Sequence, residues 1–208
     1  MGLLLSALVA GCGGAVSVKQ PINQAPLIQP APVSVAIYYA EDLRSHMCTG
    51  RVNGFIAFPY SWTFALGPPS IEMFDILFTR LFTDVETLVT DPKITPPSDR
   101  RDIIELRLSD FKGCESYWVG IGESGIDIAY EIEITYEAIV WSVDGEKVAQ
   151  WKGQGRGGPR DDVGKHRQSG LESTSYYAAL TSVAMRKAAA DFIFNFESDP
   201  AVRAWLGE

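Results

Sequence analysis

The chain has 208 residues, 46% apolar and 21% charged, with a formal net charge of −8. That length and composition fit one globular domain with a core of its own. The acidic balance argues against a nucleic-acid partner, which needs a basic face, and against lying flat on an anionic membrane surface.

The chain opens Met1-Gly-Leu-Leu-Leu-Ser-Ala-Leu-Val-Ala-Gly-Cys12. This apolar run is too short to span a bilayer, which takes roughly 20 residues, and no later run is long enough either. It fits the apolar segment of a secretory signal peptide, with small residues before a cut. No Lys or Arg precedes it, so the usual basic flank is missing and a start codon further upstream is expected. In residues 13 to 32, Pro21, Pro26, Pro30 and Pro32 block helix and central strand. Such a stretch is expected to stay extended as a tether reaching roughly 60 Å, at about 3.1 Å per residue. A shorter, packed arm is the alternative.

Val33 to Tyr39 alternates with the period of a strand. Glu41 to Pro69 reads as irregular, with a short strand near 60–65 where Phe58, Tyr60, Trp62 and Phe64 alternate. Ile71, Phe74, Phe78, Leu81, Val85 and Leu88 recur at helical steps, so a helix is expected over about 70–90, capped by Ser70. Asp102 to Leu108 reads as a strand and Phe111 to Gly125 as a loop. From Ile126 to Val140 every even position is apolar, while Asp127, Glu131, Glu133, Thr135 and Glu137 fill most odd ones. One long strand with a buried face and a wet acidic face is expected. Val143-Asp-Gly-Glu146 is a hairpin turn, and a strand returns over Lys147 to Lys152. Residues 153–167 read as a flexible polar loop. A second helix is expected from about Thr174 to Phe196, and a last short one after Asp199-Pro200. The order predicts an α+β two-layer sandwich, a mostly antiparallel sheet covered by two amphipathic helices.

Few motifs carry chemistry. Gly120-Ile-Gly-Glu-Ser-Gly125 fits the dinucleotide pattern as text but precedes a strand, where the motif needs a helix. His46 and His166 are the only histidines, and no metal-ligand spacing or nucleophile elbow accompanies them. No metal, cofactor or catalytic set is therefore expected, although a hydrolase using either histidine stays open. Glu131, Glu133 and Glu137 read as a charged sheet surface rather than an acid–base pair. The 153–167 stretch carries Arg156, Arg160, Lys165 and Arg167 among glycines. It is either a mobile hairpin exit or a contact for an anionic partner such as lipid, lipopolysaccharide or an acidic protein face. The aromatics from Phe55 to Phe64, with Trp118, are either core or a partner surface.

Val9-Ala-Gly-Cys12 resembles the lipobox of bacterial lipoproteins. The alternative is an ordinary signal peptide with an incidental cysteine. The resemblance implies a signal peptide over 1–11, a lipidated Cys12 opening the 12–32 tether, and one periplasmic domain over 33–208. Acyl chains, at roughly 0.8 kcal/mol per buried methylene, would hold Cys12 on the membrane. Cys48 and Cys114 then remain in an oxidising compartment, where one disulfide is expected; two separate buried thiols are the alternative. With the element order, the chain is similar to small Gram-negative outer-membrane lipoproteins. These include the YajG-like lipoproteins, the lipopolysaccharide-assembly lipoprotein and the activators of peptidoglycan synthases. Such proteins act by binding, which implies a non-enzymatic adaptor for an envelope protein complex, or alternatively a lipid- or lipopolysaccharide-binding module. Gly13 is not the aspartate of inner-membrane retention, which implies outer-membrane sorting, facing the periplasm.

Overall fold

The alternation from Ile132 onward sets the centre of the molecule. In the computed structural model, strand β9 (Ile132–Trp141) buries Ile132, Ile134, Tyr136, Ala138 and Val140, while its odd residues stay partly exposed to Ala138. The structure describes residues 14–15, 29–52, 60–93, 101–114, 117–122, 125–158 and 172–207. In chain order the remaining elements begin with β1 (Gly14–Ala15), β2 (Ala31–Tyr39), helix α1 (Glu41–Arg44), β3 (Met47–Val52) and β4 (Tyr60–Ala65). Helix α2 (Gly67–Leu81), β5 (Phe82–Leu88), β6 (Asp102–Lys112), β7 (Tyr117–Gly122) and β8 (Gly125–Tyr130) precede β9. After it come β10 (Lys147–Gly157), α3 (Glu172–Ser198) and α4 (Pro200–Leu206).

The fold is α+β. Its main sheet has five strands in the order β10-β9-β6-β2-β5. β10/β9 and β9/β6 pair antiparallel, but β6/β2 and β2/β5 pair parallel. The sheet is therefore mixed, which corrects the expectation of a mostly antiparallel one. The source is α2. Its apolar stripe was expected to run on through Val85 and Leu88, but the helix stops at Leu81 and Phe82 turns extended (φ −127°, ψ 151°). Thr83, Val85 and Thr87 are β-branched and favour a strand, and Val85 and Leu88 satisfy either period. The result is β5, which lies parallel to β2 after a crossover through α2.

Three more boundaries moved. α2 starts at Gly67, with proline at its first turn, so Ser70 is not its cap. Ser70 is instead fully buried: its hydroxyl donates to the Leu66 carbonyl (2.8 Å) and shares a 2.7 Å hydrogen bond with the Tyr136 hydroxyl of β9. The expected single strand over 126–140 is broken at Glu131 into β8 and β9. β8 pairs antiparallel with β7, inside the stretch expected to be loop. Gly120, Gly122 and Gly125 belong to this β7–β8 hairpin, which is not the strand–helix setting a dinucleotide site requires.

α2 and α3 meet over β9. Phe74 of α2 packs edge-on to Tyr136 and to Phe192 of α3, at 4.8 and 5.0 Å between ring centres. Trp151 of β10 leans on Phe192 and Phe196. Asp199 caps α4 as its position before Pro200 predicts, its carboxylate accepting from the Ala201 amide at 2.8 Å. Trp205 then fixes α4 to the sheet, donating from Nε1 to Asp102 at 2.8 Å and packing on Phe82.

The small sheet, β1-β4-β3, is a hairpin joined by the chain's own N-terminal arm. Gly14 and Ala15 pair parallel with Trp62 and Thr63. At this point the arm is docked rather than free.

Candidate functional site

Cys12, the residue on which the sequence reading turns, lies outside the described residues. Two residues on, Gly14 is held against β4, so the described part of the arm leads straight to that strand.

Cys48 and Cys114 stand at disulfide distance, their Cα atoms 5.7 Å apart across 66 residues of sequence. Cys48 is buried on β3 and Cys114 follows the end of β6. Gly113 makes this meeting possible: its φ of 151° is open to glycine, and a Cβ there would press on Ile132 and the Tyr177 hydroxyl at 3.2 Å. Tyr177 of α3 donates to the Gly113 carbonyl at 2.9 Å. The cysteine pair therefore ties the small sheet to the main one beneath the start of α3.

The glycine-rich stretch is not all loop. Gly153, Gly155 and Gly157 lie in β10, with their backbone directly under α3. A Cβ at Gly155 would fall 2.0 Å from the Ala184 carbonyl, and one at Gly153 would fall 2.4 Å from the Ala188 carbonyl. The glycines serve close strand–helix approach, which corrects their reading as a flexible loop over 153–157. Arg156 points to the other face and pairs with Glu131. Arg160, Lys165 and Arg167, with His166, lie outside the described residues, so of the four cations only Arg156 can be placed.

The wet face of β9 is a charge ladder rather than an acidic surface. Glu137 meets Lys152 at 3.1 Å and Glu133 meets Lys112 at 3.5 Å. Gln150 and Gln154 of β10 donate to the same two glutamates. Flanking strands thus neutralise the carboxylates in place, as cross-strand pairing allows.

Three features escape sequence reading. Glu105 of β6 is only 5% exposed. One of its oxygens accepts from Arg107 Nε (2.9 Å) and Nη2 (2.7 Å), and the other accepts from Trp141 Nε1 (2.8 Å). Lys93 completes the group, 3.8 Å from Glu105 and 5.4 Å from the centre of the Trp141 ring. The available signal was a lone carboxylate within Ile103-Ile-Glu-Leu106. The second feature is the Tyr39 hydroxyl, which donates to Asp75 at 2.5 Å; burial first, and then that carboxylate, push its pKa up. The third is the guard on the edge strand β10. The Gln154 amide donates to Asp191 (2.9 Å), and Asn195 donates to the Lys152 carbonyl (2.8 Å). Both side chains come from α3 and occupy backbone groups that would otherwise template another strand.

His46 packs edge-on to Phe111 with ring centres 5.1 Å apart, and its Nε2 makes no hydrogen bond among the described residues. Burial lowers its pKa, with Asp42 opposing. His46 is half-buried, and no described hydroxyl bonds its Nε2. Among the described residues, no cluster of three or more His, Cys, Asp or Glu side chains could hold a metal. No helix among them is long and apolar enough to cross a membrane. Phe64, from the aromatic cluster, is buried against Tyr177, while Phe55 and Phe58 lie outside the described residues. Compared with known proteins, the chain matches no family model and no curated sequence.

Proposed function

We propose that the protein is a bacterial lipoprotein, anchored through Cys12 to the periplasmic face of the outer membrane, that works as a non-enzymatic adaptor or assembly factor for an envelope complex. The observation that carries this reading is Val9-Ala-Gly-Cys12 at the end of a short apolar run. The Cys48–Cys114 pair at disulfide distance supports an oxidising compartment. In the same reading the domain is a two-layer sandwich with α2 and α3 as one layer, supported by the meeting of Phe74 and Phe192 over Tyr136.

Two experiments test the two halves. Globomycin blocks lipoprotein signal cleavage, so treated cells are expected to accumulate a precursor; no precursor would contradict the anchor. Cross-linking in intact cells, followed by mass spectrometry, is expected to recover a defined envelope protein. Recovery of none from a functional strain would contradict the adaptor role.

A further inference from the structure

We infer that the outer edge of β5, over Thr83 to Thr87, docks an extended segment of a partner protein that is basic at alternate positions. The inference rests on the adaptor reading and deepens it by naming the chemistry of the partner.

The two edges of the main sheet are unlike. At β10, Asp191 and Asn195 from α3 occupy the Gln154 amide and the Lys152 carbonyl. At the opposite edge, β5 pairs only with β2. Among the described residues, nothing bonds the backbone of Thr83 to Thr87 on the side away from β2. A strand so placed presents unpaired N–H and C=O groups at every second residue, a template for one more strand. Thr83, Asp84, Glu86 and Thr87 are exposed. Bulges, prolines and lysines are the usual protection of an edge. Thr83-Asp-Val-Glu-Thr87 has no proline or lysine, and its register with β2 runs unbroken from Asp84 to Leu88. The open run has a defined end, because Arg44 donates to the Leu88 and Val89 carbonyls at 2.9 and 2.8 Å.

Charge selects the occupant. Register sets Asp84 and Glu86 on one face with Ser34 and Ala36, and sets β-branched Thr83, Val85 and Thr87 on the other. A second copy of this chain fits poorly. An antiparallel β5–β5 pair centred on Val85 sets Asp84 opposite Glu86, and like charges directly opposite are destabilising. An incoming strand with Lys or Arg at alternate positions meets the same two carboxylates with opposite charge. Arg101 holds Asp84 at 3.0 Å, whereas Glu86 has no cation among the described residues. The net charge of −8 also steers a basic segment toward the chain.

The test uses the full chain and three fluorescein-labelled synthetic peptides. One alternates lysine and valine, one alternates glutamate and valine, and the third is the lysine peptide N-methylated throughout. The lysine peptide is expected to bind, read by anisotropy, and to slow hydrogen exchange over Thr83–Thr87. Asp84→Lys/Glu86→Lys should weaken that binding about tenfold with an unchanged near-UV circular dichroism spectrum. Glu86→Gln, which keeps the Asp84–Arg101 pair, should weaken it less. No binding of the lysine peptide, equal binding of either other peptide, or exchange unchanged over Thr83–Thr87 overturns the proposal. A wild-type dimer in sedimentation with these amides already protected overturns it in favour of a second copy. The cross-linking that tests the adaptor reading is repeated on Asp84→Lys/Glu86→Lys. A partner recovered equally from wild type and variant overturns the edge and leaves the adaptor reading standing. No partner from wild type overturns the adaptor reading, and the peptides still decide the edge.

Discussion

At the residue scale, Gly155 is the position where one added carbon should do most harm. Its Cβ would fall 2.0 Å from the Ala184 carbonyl, and backbone cannot step aside as a flexible side chain can. Gly155→Ala is expected to cost about 1–3 kcal/mol, the range for overpacking a tight contact. Gly158→Ala, where an added Cβ meets nothing within 4 Å, is the control and should be near neutral. Denaturant midpoints of the two variants check this; equal midpoints would mean that α3 does not press on β10. His46 gives a second residue-scale expectation. Burial lowers its pKa in the fold, so the unfolded chain holds the proton more tightly. Its contribution to stability is complete above the unfolded value of about 6.5 and is lost as pH falls from there through the folded value. The thermal midpoint of the wild type should therefore fall more steeply than that of His46→Gln below about pH 6.5. Parallel curves would mean that His46 titrates normally.

At the element scale, the cysteine pair is the strongest single cross-link between the two sheets. Chain entropy assigns a loop of this length roughly 4 kcal/mol. Cys48→Ser/Cys114→Ser is expected to lose stability of about that order, read as a shift in denaturant midpoint at constant slope. An unchanged midpoint would mean that the bridge does not form in solution. The elements also show what was legible in the sequence. β9, α3 and α4 were readable because one signal dominated each: alternation from Ile132, an apolar stripe through Phe192, and Asp199-Pro200 as a cap. β5 was not, because Val85 and Leu88 fit a helical step and the strand depends on pairing with β2, 50 residues earlier in its Val35–Val85 register. β7 was hidden by glycines that read as loop, β8 was read as strand but as one piece with β9, and β10 was cut short by its glycines. Its glycines are explained only by α3, which arrives later in the chain. Of the candidate site, the Cys48–Cys114 pairing was legible from the cysteine count and the export that the apolar leader implies. The Glu105 group was not, since Arg107, Trp141 and Lys93 meet only through the sheet register and the chain after β5.

At the scale of the whole molecule, a mixed sheet carries α3 over one edge strand, where Asp191 and Asn195 occupy backbone groups of β10. The glutamates on and just before β9 are paired with cations from both neighbouring strands, which gives this face of the sheet alternating charge. Interspersed charge of this kind disfavours association through that face. This suits a domain held in place by an anchor, and it leaves the N-terminal end as the decisive feature. The most direct measurement is the intact mass of the protein purified from bacterial membranes, with fragmentation of its first peptide. The expected result is a chain beginning at Cys12 that carries a diacylglyceryl thioether and an acylated amino group. A chain that retains residues 1–11, or begins elsewhere with an unmodified cysteine, would contradict the proposal that this protein works from a lipid anchor.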